Sequence, residues 1–332
     1  LISYKDAGVD IDKGNRLVEF IKKALGDQRD PNLLSSIGAF GALYTLDNDT
    51  VISTTTDGVG TKLLVAQMAK KHDTVGIDLV AMNVNDIVAM GSKPLLFLDY
   101  IAYSDLEDAH LEQILSGIVE ALGEAGAILA GGETAQMPDV YPSGAYDLAG
   151  FCVGISRKDE LLLETPEPGD VVVGFESSGY HSNGYSLLRK VFFEVAGYDL
   201  QDRVLDKRSL ADLLLTPTKI YVKPLLSVRD LIKRAAHITG GGFYDNISRI
   251  LPDGVGCVIE KRLLPERDEF ELVRKLGNIA FEEMFRTFNM GVGFVVVVSP
   301  ENVRRLIETV GKLGTEAFVI GQIEKGRGVR IV

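Results

Sequence analysis

The segment from Gly76 to Met90 constrains this chain more than any other. It is apolar nearly all the way round, so at helical pitch it has no face to give to water and belongs in an interior. It nevertheless carries Asp78, Asn85 and Asp86, which at spacings of seven and eight share one stripe of that helix. Buried carboxylates are costly unless they are paired or bound to a cation. The stripe therefore reads either as an ion-paired face or as part of a ligand site, with Asp86 the best candidate metal ligand. A chain of 332 residues is long enough to bury such a helix and to form about two domains without disulfide or metal staples.

Strands are expected over 51–56, 95–102, 127–130 (broken by Gly131-Gly132), 148–156, 171–175, 256–260, 292–298 and 317–323. Helices are expected over 14–25, 63–69, 76–90, 106–125, 184–196, 218–234, 243–250, 270–288 and 300–313. Both types mix in both halves, which gives an α/β (α+β) class. Glu164-Thr165-Pro166-Glu167-Pro168-Gly169-Asp170 is turn chemistry without periodicity, so the boundary is set there: an N-terminal domain over 1–163 and a C-terminal α/β domain over 164–332.

The net charge is −12 (35 Lys and Arg against 47 Asp and Glu), which disfavours a nucleic-acid partner. No apolar stretch reaches the ~20 residues of a membrane span. The opening Leu1-Ile2-Ser3-Tyr4-Lys5-Asp6 does not read as a signal peptide. Cys152 and Cys257 lie in apolar runs and read as buried thiols, so a cytoplasmic location is expected.

The 35 glycines are more than an average chain carries, and many stand where a strand meets a helix. Neither the P-loop nor the G-x-G-x-x-G pattern is among them. Thr56-Asp57-Gly58-Val59-Gly60-Thr61-Lys62 follows a β-branched strand and opens a helix. Its glycines let backbone N–H groups approach an anion, Lys62 offers a point charge, and Asp57 calls for Mg²⁺ between itself and phosphate. A plain Asp-Gly turn with a surface lysine is the other reading. Glu133, in Gly131-Gly132-Glu133-Thr134-Ala135, stands at an expected strand end, as a ligand contact or a turn residue. His181 and His237 lie in glycine loops that feed helices, as acid–base groups or as loop histidines satisfied locally. His72 reads as a cap residue and His110 as a surface one.

In order along the chain stand Ser3-Tyr4-Lys5-Asp6-Ala7-Gly8-Val9-Asp10, Thr56 to Lys62, His72-Asp73-Thr74-Val75-Gly76, Gly131-Gly132-Glu133-Thr134-Ala135, His181-Ser182-Asn183-Gly184, His237-Ile238-Thr239-Gly240-Gly241-Gly242 and Arg286-Thr287-Phe288-Asn289-Met290-Gly291. This series resembles the phosphoribosylformylglycinamidine cyclo-ligases over nearly the whole length. Met290, where some relatives carry Cys, argues against an essential thiol there, and Gln136 stands where Glu is common. The resemblance implies ATP-dependent closure of formylglycinamidine ribonucleotide to aminoimidazole ribonucleotide, ADP and phosphate. It implies two α/β domains and a homodimer whose N-terminal domains share a β-barrel. It further implies Asp57 and Asp86 on Mg²⁺–ATP, with Lys5, Asp6, Gly58, Gly60, Thr61, Lys62, His72 and Asp73 around the nucleotide. Gly132, Glu133, Asn183, Thr216 and Thr218 would meet the ribonucleotide, and His181 and His237 would act in acid–base or phosphate-stabilising roles. The alternatives are a fold-mate such as thiamine monophosphate kinase and a non-catalytic nucleotide-binding regulator.

Overall fold

A computed structural model describes residues 1–26, 30–205 and 207–332. The N-terminal half begins with helix α1 (Ile11–Leu25) and strands β1 (Ala42–Thr45) and β2 (Thr50–Gly58). Helices α2 (Lys62–Ala69) and α3 (Asp73–Ala89) follow, then β3 (Lys93–Tyr103), α4 (Asp108–Ala125), β4 (Ile128–Gln136) and β5 (Tyr146–Arg157). The strands form one sheet in the order β1-β2-β5-β3-β4, antiparallel except for the parallel β3–β4 pair.

The C-terminal half runs through β6 (Val171–Glu176), α5 (Tyr185–Arg189), the small hairpin β7 (Arg203–Leu205) and β8 (Arg208–Ser209), α6 (Leu210–Leu214) and α7 (Val222–Ser227). It continues with β9 (Ile232–His237), α8 (Gly242–Ser248), β10 (Val255–Ile259), α9 (Asp268–Leu276), α10 (Phe281–Thr287) and β11 (Val292–Val298). Helix α11 (Val303–Gly311) and strands β12 (Ala317–Lys325) and β13 (Gly328–Ile331) complete it. Its six-stranded sheet has the order β13-β10-β12-β6-β11-β9, and β11 is buried along its whole length.

Helix α3 is apolar all round because it lies between the halves. It packs on β2, β3, β5 and α4 of its own half and on α7 and β9 of the other. Its approach to α4 needs two glycines. A Cβ on Gly76 would sit 2.1 Å from the Ile114 carbonyl oxygen, and one on Gly117 2.2 Å from that of Asp73.

Two sequence expectations are corrected. Residues 218–234 are not one helix: α7 ends at Ser227, a 3-10 turn follows, and β9 pairs with β11 from Ile232 onward. Strand β4 is not broken at Gly131-Gly132 but runs through both. Gly132 serves close strand approach, since a Cβ there would fall 2.1 Å from Asp99 Oδ1.

The outer face of the first sheet stays open. Leu98, Tyr100, Phe151 and Ile155 project from it, each 37–41% exposed, and β4 forms an exposed edge beside them. Among the described residues no helix is long and apolar enough to cross a membrane.

Candidate active site

A cleft of about 830 Å³ opens where the halves meet. The end of β2 brings Asp57, Gly58 and Gly60 to it, α3 brings Asp86, and the loops after β6 and β9 bring Asn183 and Gly240. Pairing of β2 with β5, Asp57 opposite Gly150, fixes the first of these positions.

Asp57 and Asp86 are the electrostatic centre. Burial, and after it the negative charge of Asp86, push the Asp57 carboxyl up to about 6. A hydrogen bond from the Gly58 N–H at 2.8 Å and the charges of His237 and Arg249 act in the opposite direction. Asp86 Oδ1 lies 2.8 Å from Nδ1 of His237. His237 ends β9, stacks on Phe294 with ring centroids 5.8 Å apart, and has Nε2 3.5 Å from Asn85 Nδ2. With the Asn85 amide donating to Nε2, the proton belongs on Nδ1 and points at Asp86.

Among the described residues no group of three or more His, Cys, Asp or Glu could hold a metal ion by itself. Two mutually repelling carboxylates in an open cleft fit Mg²⁺, which takes one or two carboxylates and fills its shell with water and phosphate oxygens.

The structure places Lys62 differently from the sequence expectation of a phosphate contact. Its side chain is fully buried, with Nζ 2.7 Å from Asp78 Oδ2, 2.7 Å from the Thr216 carbonyl oxygen and 3.0 Å from that of His181. An ammonium surrounded by these oxygens is not offered to the cleft. Thr218 belongs to the same cluster, donating from both its N–H and Oγ1 to Asp78 Oδ1 at 2.7 Å. Thr216 Oγ1 donates to the Asp212 carbonyl instead of facing the cleft. Asn85 continues the clamp by donating to the Lys219 carbonyl and accepting from the Tyr221 N–H.

His181 lies behind the cleft wall that Ser182 and Asn183 form. It has φ +59°, Nε2 accepts from the Ser178 N–H, and Nδ1 is buried without a partner. Burial, then the charges of His237 and Lys62, hold it well below the usual histidine range. It is thus a neutral ring that shapes the loop.

His72 and Asp73 also lie outside the cleft lining. His72 Nδ1 is 2.8 Å from the Tyr146 hydroxyl, and burial followed by His110 pulls the ring down to about 4. Gly132 and Glu133 are exposed on β4 and do not line the cleft either.

Lys5 and Asp6 form a short turn in an N-terminal strap. Lys190 donates to the Asp6 carbonyl and the Tyr4 N–H donates to Glu283, which ties the strap to the C-terminal half. Tyr4 and Val9 reach the cleft, whereas the Lys5 ammonium turns to Asp10 at 3.4 Å. Thr61 lines the cleft, its hydroxyl 3.1 Å from that of Ser186. Sequence reasoning missed Asp147 and Arg249, which also line it. Arg249 caps a seven-residue helix, and no local pattern marks its position as special.

Residues 38–156 match the family model described as the N-terminal domain of AIR synthase related protein, and residues 167–332 match that of its C-terminal domain. A phosphoribosylformylglycinamidine cyclo-ligase of Thermoanaerobacter pseudethanolicus is 50% identical over 332 residues, covering 98% of this chain and 99% of that protein. The thiamine monophosphate kinase of Aquifex aeolicus shares the fold with a TM-score of 0.65 at 18% identity, over 95% of this chain and 94% of that one. T. maritima PurL complexed with FGAR shares it with a TM-score of 0.64 at 16% identity, over 96% of this chain and 53% of that one. Identity of one residue in two along the full length goes far beyond likeness of fold, and on that ground the chain belongs to the phosphoribosylformylglycinamidine cyclo-ligase family.

Proposed function

We propose that the Asp57–Asp86–His237 group is the reaction centre of the family's ATP-dependent ring closure. Members of this family convert formylglycinamidine ribonucleotide and ATP to aminoimidazole ribonucleotide, ADP and phosphate, forming a C–N bond. The formamide oxygen accepts the γ-phosphoryl group, the amidine nitrogen attacks the activated carbon, and the oxygen leaves as phosphate. The observation that carries the assignment is the pair of carboxylates facing one another in a cleft lined by both halves.

Asp57 and Asp86 would hold Mg²⁺, which screens phosphate charge and orients the phosphoryl group. Backbone N–H groups around Gly58, Gly60 and Thr61 approach the nucleotide phosphates. Asn183 offers an amide to the ribonucleotide. The Asp86–His237 couple holds a proton on His237 Nδ1 at the cleft wall, and His181 positions the loop carrying Asn183. Lys5 and Asp6 act through the strap that sets Tyr4 over the cleft. The thiamine monophosphate kinase alternative has only a shared fold behind it.

The working unit in this reading is a homodimer, with domains over 1–163 and 164–332, in a reducing cytoplasm. The open apolar face of the N-terminal sheet supports pairing with a second copy, because patches of this kind mark interfaces. Phe151→Asp places a charge in the middle of that face. The variant is expected to sediment at half the mass of the parent, and an unchanged mass would remove this interface.

The test of function is direct. Protein mixed with Mg²⁺–ATP and formylglycinamidine ribonucleotide yields ADP and aminoimidazole ribonucleotide in equal amounts. ATP hydrolysis that ignores the ribonucleotide would sink the assignment.

A further inference from the structure

The cleft must hold two phosphorylated molecules, yet its wall is acidic. Asp57, Asp86 and Asp147 line it, and among the described residues Arg249 is its one Lys or Arg. Lys62 is spent on Asp78. A nucleoside triphosphate can bring its own divalent cation to a pair of carboxylates. A sugar monophosphate ester commonly binds without one and needs a protein cation, for which a planar guanidinium with two parallel N–H donors is the best match.

Arg249 is placed for that task. Its guanidinium lies over the Phe40 ring, 5.3 Å from the centroid, which fixes the side chain without neutralising it. No carboxylate among the described residues forms an ion pair with it, whereas Arg16 and Lys22 nearby are engaged by Asp10 and Glu19. Arg249 also stands between two spaces. It lines both the main cleft and a side groove of about 640 Å³, which adds Ser36, Gly38 and Ser248 as small polar or backbone partners.

We infer that Arg249 is the specificity residue that binds the 5′-phosphate of the ribonucleotide substrate, where the side groove leaves the main cleft. The inference rests on the cyclo-ligase reading above. It divides the cleft into a carboxylate end for the metal-bound triphosphate and an arginine end for the metal-free monophosphate.

Steady-state kinetics on the full chain test it. Arg249→Met is expected to raise KM for formylglycinamidine ribonucleotide about 10- to 100-fold, the worth of one hydrogen-bonded charge contact. The kcat and the KM for ATP stay within about twofold, since a uniform binding contact is lost. Arg249→Lys falls between, because a point charge replaces a fork. Ribose 5-phosphate competes with the ribonucleotide in the parent enzyme and loses that effect in the methionine variant. If the methionine variant melts early, the lysine variant, which keeps a cationic stem over Phe40, decides by the same KM ratio. An unchanged ribonucleotide KM overturns the inference, and so does a rise confined to the KM for ATP. Failure of the parent enzyme to form aminoimidazole ribonucleotide is read before any variant and overturns the cyclo-ligase reading itself.

Discussion

Lys62→Met destabilises this protein by about 3–5 kcal/mol, the usual cost of leaving one member of a buried ion pair without its partner. The side chains of Lys62 and Asp78 are both fully buried, 2.7 Å apart. The ammonium also satisfies two carbonyls of the other half, at His181 and Thr216. Methionine fits the space but orphans a carboxylate and two carbonyl oxygens together. Adding Asp78→Asn removes the stranded charge and keeps an oxygen for the two Thr218 donors, so the double variant recovers part of the loss. Urea denaturation of the parent, both single variants and the double variant measures this coupling. A lysine that instead touched phosphate would leave stability within about 1 kcal/mol and change the KM for ATP, and that result would refute the structural role.

Reading Lys62 as a phosphate contact was reasonable from local chemistry, and its failure shows where sequence reasoning ends. The strand, the glycine turn and the helix start around Asp57 are local features, and they stand in the structure as read. The interior position of α3 was legible for the same reason, since an all-apolar periodicity has one physical meaning. The use of its polar stripe was not legible. Asp78 and Asn85 meet the segment from Thr216 to Tyr221, more than 130 positions away along the chain. Only Asp86 turns to the cleft, and no spacing rule separates it from its neighbours.

The misread elements have the same cause. Strand β9 is defined by its ladder to β11, which a window of local propensity around Pro224 does not contain. Gly132 resembles a breaker, but its role is to let β4 approach Asp99 on β3. Arg249 carries no signal because its meaning depends on a charge count around a cavity, and the cavity exists only once both halves are assembled.

Asp57→Asn is expected to lower kcat by about 10²–10³-fold, the scale on which one preorganised electrostatic group acts, and to make the empty protein more stable at neutral pH. The second effect follows from the direction of the shift. Burial and the Asp86 charge raise the Asp57 carboxyl to about 6. Its protonated form is therefore favoured in the folded state, and the stability this contributes is fully present below the ordinary aspartate value near 4. That contribution is lost as pH rises through about 6. At pH 7.5 the parent carries an unfavourable charge that asparagine does not, so the variant melts higher; below about pH 4 the two converge. The amide oxygen of asparagine can still accept from the Gly58 N–H, which keeps the local turn. Mg²⁺ should raise the melting temperature of the parent at pH 7.5, lose that effect as pH falls below about 6, and leave the variant nearly unmoved. Melting curves across pH 4 to 8, with and without Mg²⁺, separate these outcomes. A variant that turned over normally would remove Asp57 from the metal site. One that melted lower than the parent at pH 7.5 would mean that Asp57 stabilises the fold, instead of being held there against its own repulsion for the sake of the reaction.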